Sequence, residues 1–203
     1  MNSKKIVLFG DGCTGKSTMY SKIRDYTDED YTFDKRYKAT DEFNFMRIPI
    51  KTNIGELSTD IWDTAGQENK GGKIRDAFLR GADGVILFYD VSVKKNTLSN
   101  ITNWLEQIRK VAPNVPVAVV GNKCDLLESL DLCESVKLRE CNLQKSIGHN
   151  NIKNFLISIK NDTHIEYNST FWSSKITYKV ERSCMIGLEY ILSNLYETTV
   201  KVI

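Results

Sequence analysis

The sequence predicts an α/β fold, a six-stranded and mostly parallel sheet with one antiparallel edge pair and helices on both faces. Three observations carry that expectation. The apolar runs Ile6-Val7-Leu8-Phe9, Val85 to Tyr89 and Val115 to Val120 are continuous, as strands buried on both faces are. They alternate along the chain with longer segments of helical spacing. Two of the runs open into loops, Gly10 to Ser17 and Gly121 to Asp125, at the strand ends where ligands sit in such sheets.

Taken in order, Ile6 to Phe9 is the first strand and Lys16 to Asp25 the first helix. Phe43 to Lys51 and Glu56 to Asp63 are paired strands joined by the turn Asn53-Ile54-Gly55. Val85 to Tyr89, Val115 to Val120 and Asn154 to Ile159 supply three more strands. Helices are expected near Asp76 to Gly81, Leu98 to Val111, Val136 to Ile147 and Lys179 to Tyr196. The stretch 161–177 mixes polar and aromatic residues before the last helix. It is either a partner-binding insertion or a longer surface loop, and the loop is the expectation.

Composition sets the outer limits. With 203 residues, 41% hydrophobic and 27% charged, the chain suits a single domain spanning 1–203. A formal net charge of +2 argues neither for nucleic acid nor for a strongly anionic surface, and no nucleic-acid partner is expected. No apolar run approaches the ~20 residues of a membrane span. The start Met1-Asn2-Ser3-Lys4-Lys5 resembles no signal peptide and lacks the second-position glycine of a myristoylated chain. Five cysteines include no C-x-x-C pair, and Cys133 and Cys141 without histidine partners suit packing rather than metal. No cysteine follows Cys184, so no direct lipid anchor is expected to be encoded. The expectation is a cytoplasmic monomer that meets membranes only through partners.

Gly10-Asp11-Gly12-Cys13-Thr14-Gly15-Lys16-Ser17 fits the phosphate-binding pattern G-x-x-x-x-G-K-[ST] directly after a strand. The glycines let several backbone N–H groups face one anion, and the helix starting near Lys16, with Thr18 in its first turn, adds its positive end. Lys16 would reach the β- and γ-phosphates and the Ser17 hydroxyl would ligate Mg²⁺. A glycine-rich turn between strand and helix is the plain alternative. A second site, Asn122-Lys123-Cys124-Asp125, also follows a strand. A buried carboxylate at Asp125 can accept from guanine N1–H and its exocyclic amine, and adenine would leave that carboxylate unpaired. Lys123 would lay its stem over the base, and Asn122 would tie this segment to the phosphate loop. Between the two, Asp60 to Glu68 offers Asp63 to Mg²⁺ through water, the Gly66 N–H to the γ-phosphate, and Gln67 to orient the attacking water. Lys16 and Gln67 are therefore the candidate catalytic residues.

Three motifs agreeing in order make the chain resemble a Ras-superfamily small GTPase, from Lys5 to about Tyr196. The resemblance implies a P-loop small G-domain that binds GTP and GDP with Mg²⁺ and works with effector, exchange-factor and GTPase-activating proteins. It further implies that Ser158-Ile159-Lys160 offers a backbone N–H to the guanine oxygen, with Ile159 where the family usually has alanine. Thr40 matches the threonine of the first switch, which carries Mg²⁺ and γ-phosphate contacts, although Glu42 stands where glycine is usual. Phe33 matches the aromatic that stacks on the guanine edge, and is alternatively a plain loop anchor. Phe78 to Val91, Asp60 to Glu68 and Thr102 to Leu105 look like the Rab branch, whereas Lys35 to Thr40 and Gly71 to Asp76 look like Ran; the Rab-related reading is favoured. Phe45, Trp62 and Phe78 match the Rab effector triad, the alternative being that all three are core residues; partial exposure of Trp62 is expected, since it shares its strand face with Ser58 and Asp60. The alternatives are a nucleotide-locked module that presents this surface without cycling, a Ran-like transport GTPase and, more distantly, a P-loop kinase.

Overall fold

β1 (Lys4–Gly10), β4 (Gly84–Asp90) and β5 (Val117–Asn122) form the middle of the sheet, and their unbroken apolar runs are buried on both faces. This computed structural model describes residues 3–32, 40, 43–66, 72–92, 97–127, 152–170, 173–180 and 182–203. β1 lies parallel to β3 (Gly55–Thr64) on one side and to β4 on the other, and β5 and β6 (Ile152–Ser158) continue the parallel set. β2 (Phe43–Thr52) runs antiparallel to β3 at one edge, through a turn in which Gly55 takes a φ of +117°. From Phe45 to Thr52 its burial alternates, as a strand with one wet face requires. These six strands are the mixed sheet predicted from the sequence.

Two further strands extend it. Thr163–Thr170 (β7) and Ser173–Val180 (β8) form an antiparallel hairpin added beyond β6, giving the order β2-β3-β1-β4-β5-β6-β7-β8. The expected surface loop over 161–177 is thus a hairpin. The register sets Ile165 opposite Tyr178 and Tyr167 opposite Ile176, so a period-two alternation lies within a stretch that reads as polar. β8 also takes the residues assigned to the start of the last helix. That helix, α4, runs only over Ile186–Leu195, behind a 3-10 turn at Ser183–Met185 that holds Cys184.

Helices cover both faces. α1 (Lys16–Thr27) and α4 pack Met19, Ile23, Leu188 and Ile191 against Ile6, Leu8, Ile86 and Val120. On the opposite face α2 (Gly72–Leu79) and α3 (Ile101–Val111) bury Leu79, Ile101, Trp104, Leu105 and Ile108 against Val7, Phe9, Val85 and Leu87. The spacing 101, 104, 105, 108 is the apolar stripe of an amphipathic helix. The helix expected over Val136 to Ile147 lies outside the described residues.

Candidate functional site

The carboxyl ends of β1, β3, β5 and β6 converge on a cavity of about 590 Å³. Its floor is the loop between β1 and α1. Cys13 and Gly15 there adopt left-handed conformations, φ 63° and 108°. Gly15 has a second reason to be glycine: a Cβ would stand 2.2 Å from the Asn122 amide nitrogen. That amide donates to the Thr14 carbonyl at 3.0 Å, which is the tie between the two loops expected of Asn122. Its oxygen accepts from the Ile159 N–H at 3.1 Å, which ties the Ser158 to Lys160 segment to the same side chain.

Lys16, only 4% exposed, donates to the carbonyls of Gly10 and Asp11 at 2.9 and 2.6 Å. Burial lowers its pKa to about 8, against the pull of the Asp63 and Asp11 carboxylates. A buried cation lining an open cavity favours an anionic ligand. Beside it the Ser17 and Thr40 hydroxyls meet at 2.8 Å, and Thr40 donates to Asp63 Oδ2 at 3.3 Å. Asn44, unnoticed in the sequence, donates to the same oxygen at 3.2 Å. Asp63 is fully buried, its Oδ1 has no hydrogen-bond partner among the described residues, and burial pushes its pKa up despite bonds from Ser17, Asn44 and Thr40. An orphaned buried carboxylate oxygen beside two hydroxyls is a hard, all-oxygen donor set. It fits Mg²⁺, with the remaining ligands left to phosphate and water.

At the other end, the Asp125 carboxylate is half-buried rather than buried, and Ser158 Oγ donates to its Oδ1 at 2.6 Å. Lys123, left-handed at φ 69°, pairs its ammonium with Asp90 Oδ2 at 2.7 Å. Burial alone would raise the Asp90 pKa; the Lys123 and Ser92 contacts override it and hold the carboxyl below its usual range. Gly12, Cys13, Gly15, Lys16, Ser17, Thr18, Thr40, Gly66, Asn122, Lys123, Asp125, Ile159 and Lys160 all line the cavity, as do Thr64 and Leu126, which the sequence did not single out. Gly10, Asp11, Thr14, Asp63 and Ser158 are buried and are not among the residues that line it. Phe33 and Gln67 lie outside the described residues.

The aromatic triad is a surface cluster, not core. Phe45 is 44% exposed and Trp62 and Phe78 are half-buried, with Phe45 and Trp62 centroids 5.0 Å apart and Trp62 and Phe78 6.1 Å apart. Phe43, two residues from Phe45 on the same face of β2, joins them at 5.4 Å from Trp62 and 5.3 Å from Phe78. The Lys5 ammonium sits over Trp62, 5.0 Å from the ring centroid.

A model of the Ras family matches residues 5–177. The chain belongs to the Ras family. It is a small GTPase switch, with the family's binding of GTP and GDP, typically with Mg²⁺, its GTP hydrolase activity and its dealings with regulators and effectors. The Ras-family match covers the phosphate loop, Asp63, the Asn122 to Asp125 site and Ser158, and extends into the β7–β8 hairpin. Among the described residues no helix is long and apolar enough to cross a membrane, and no three His, Cys, Asp or Glu side chains cluster as a metal site.

Proposed function

We propose that this Ras-family chain is a Rab-related switch that holds guanine nucleotide in the cavity, hydrolyses GTP slowly and presents Phe45, Trp62, Phe78 and Phe43 to effectors. The observation that carries the reading is the Asn122 to Thr14 hydrogen bond, which locks a base-reading carboxylate and a phosphate-binding loop into one site. Asp125, oriented by Ser158, selects guanine over adenine because only guanine fills both acceptor positions with N–H donors. Lys16 and the loop amides take the phosphates. Ser17, Thr40 and, through water, Asp63 would hold Mg²⁺, which supplies positive charge to the β- and γ-phosphate oxygens.

In hydrolysis Gln67 orients a water whose oxygen bonds to the γ-phosphorus as the bond to the β–γ bridging oxygen breaks, leaving GDP and phosphate. Lys16 stabilises the charge that develops on those oxygens. Among the described residues that line the cavity there is no arginine; the expected unassisted rate is slow, and a partner-supplied arginine would add ~10³- to 10⁵-fold. With the γ-phosphate present, Thr40 and Gly66 are held; its loss releases both, and the aromatic surface at the end of β2 and β3 responds. The test is to denature the purified protein and identify the released ligand by chromatography, then compete GTP and ATP against fluorescent GDP. Bound GDP or GTP with strong preference over ATP is expected; equal competition by ATP would overturn the guanine assignment.

A further inference from the structure

We propose that Asp11 is a positioning residue, whose carboxylate clamps the phosphate-binding loop to the start of α3, so that retention of nucleoside diphosphates depends on that clamp. The inference rests on the reading of the cavity as a nucleotide site. Asp11 is 3% exposed. Its Oδ1 accepts from the Trp104 indole N–H at 2.8 Å and its Oδ2 from the Asn100 amide at 2.9 Å. The carbonyl of the same residue accepts from Lys16 Nζ at 2.6 Å and from Thr14 Oγ1 at 2.9 Å. One residue therefore joins α3 to the loop's cation and to its turn.

The chemistry of the contact is specific. An indole nitrogen only donates, and an amide nitrogen only donates, so both oxygens of residue 11 must accept. Asparagine there keeps one acceptor for the indole and turns its NH₂ to Asn100, which must flip its amide to accept, so the charge on both hydrogen bonds is lost. Asn100, at the N-terminal end of α3, makes no side-chain capping bond to the helix; its amide goes to Asp11 instead. The Trp104 ring is held edge-on against Phe9, 5.0 Å between centroids at 82°, which fixes the direction of the indole N–H. A carboxylate beneath an anion-binding loop acts against the charge of the ligand, and what it contributes is position. The same turn before α3 also reaches the base end of the site: the Thr97 hydroxyl bonds the Asp90 backbone at 2.8 Å, and Asp90 holds Lys123.

The test compares release of fluorescent GDP, in Mg²⁺, from the unmodified protein, Trp104→Phe, Asn100→Ala, Asp11→Asn and the Trp104→Phe/Asp11→Asn double variant, together with the preference of each for GDP over inosine diphosphate. Each single change should speed release by about tenfold, the effect of one lost hydrogen bond to a charged group. The double variant should release no faster than Asp11→Asn, because both changes cut one link. The preference for GDP over inosine diphosphate should stay as in the unmodified protein, since Asp125 and its Ser158 contact are untouched. Unaltered release in Trp104→Phe and Asn100→Ala, additive acceleration in the double variant, or a parallel loss of base preference that marks general loosening would each overturn the clamp. Asn100→Ala, at a half-buried position, keeps the test decisive if Trp104→Phe does not fold. Should the unmodified protein fail to hold GDP, the nucleotide reading itself falls and the clamp with it; a failed clamp alone shows only in the variants.

Discussion

Replacing Gly66 by alanine asks how close the end of β3 must come to the phosphate loop. A Cβ at residue 66 would lie 2.5 Å from Gly12 N and 2.6 Å from Asp11 C, both backbone atoms with no flexible side chain to swing away. Ordinary contacts of carbon start near ~3.5 Å, so the two segments must part by about 1 Å. A displacement of that size carries an N–H···O bond of ~2.9 Å past the distance at which it holds. The bond at stake is the one assigned from the Gly66 N–H to the γ-phosphate, and a hydrogen bond to a charged group contributes ~1.5–3 kcal/mol. Affinity for a non-hydrolysable GTP analogue should fall ~10- to 150-fold. GDP has no γ-phosphate, so its affinity should fall clearly less than that of the GTP analogue. Displacement of fluorescent GDP by each nucleotide measures both. Equal losses for the two nucleotides, or an unchanged affinity for the GTP analogue, would refute the assigned contact.

Other changes probe separate parts of the account. Asp125→Asn should weaken GDP by at least ~10²-fold, through two lost charge-assisted hydrogen bonds at a half-buried site, and shift preference toward xanthine nucleotides; competition assays read both. Maleimide at pH 8 should label the exposed Cys13 and spare Cys124, whose thiol burial pushes up to about 12, and Cys184, which burial pushes up as well; GDP should protect Cys13, and peptide mapping by mass spectrometry identifies the sites. Gly84→Ala places a Cβ 2.1 Å from Ile191 Cγ2, an overpacking of ~1–3 kcal/mol that should lower the melting temperature by ~2–10 °C. Adding Ile191→Leu, which lacks the Cγ2 methyl, should recover part of that loss, and a melting temperature unaffected by Gly84→Ala would show that the β4–α4 contact is looser than described.

The parts of the site that were legible in the sequence are those where one short segment meets the whole chemical demand. Gly15 must be glycine to turn left-handed under the Asn122 amide, and Lys16 and Ser17 follow it in fixed order. Asp11 to Trp104 and Asp90 to Lys123 were not legible. Their partners are 93 and 33 residues apart, and only the placement of β1 beside β4, and β4 beside β5, brings them together. Phe43 had a visible signal, its i, i+2 relation to Phe45 on an alternating strand, which places both on the exposed face. The β7–β8 hairpin failed as a strand signal because Thr163, Ile165 and Tyr167 alternate with polar residues, a pattern that loops share. The last helix was overextended for the same reason, with Lys179 and Val180 paired in β8.

Single-turnover hydrolysis of bound GTP, in the unmodified protein beside Gln67→Leu, addresses the central claim most directly. Slow conversion to GDP at ~10⁻⁴–10⁻² s⁻¹ is predicted for the unmodified chain, and a rate lower by about one to two orders of magnitude for Gln67→Leu, with GDP affinity retained in both. Equal, very slow rates in the two proteins, or no hydrolysis by either, would contradict a working switch and leave a nucleotide-locked module in its place.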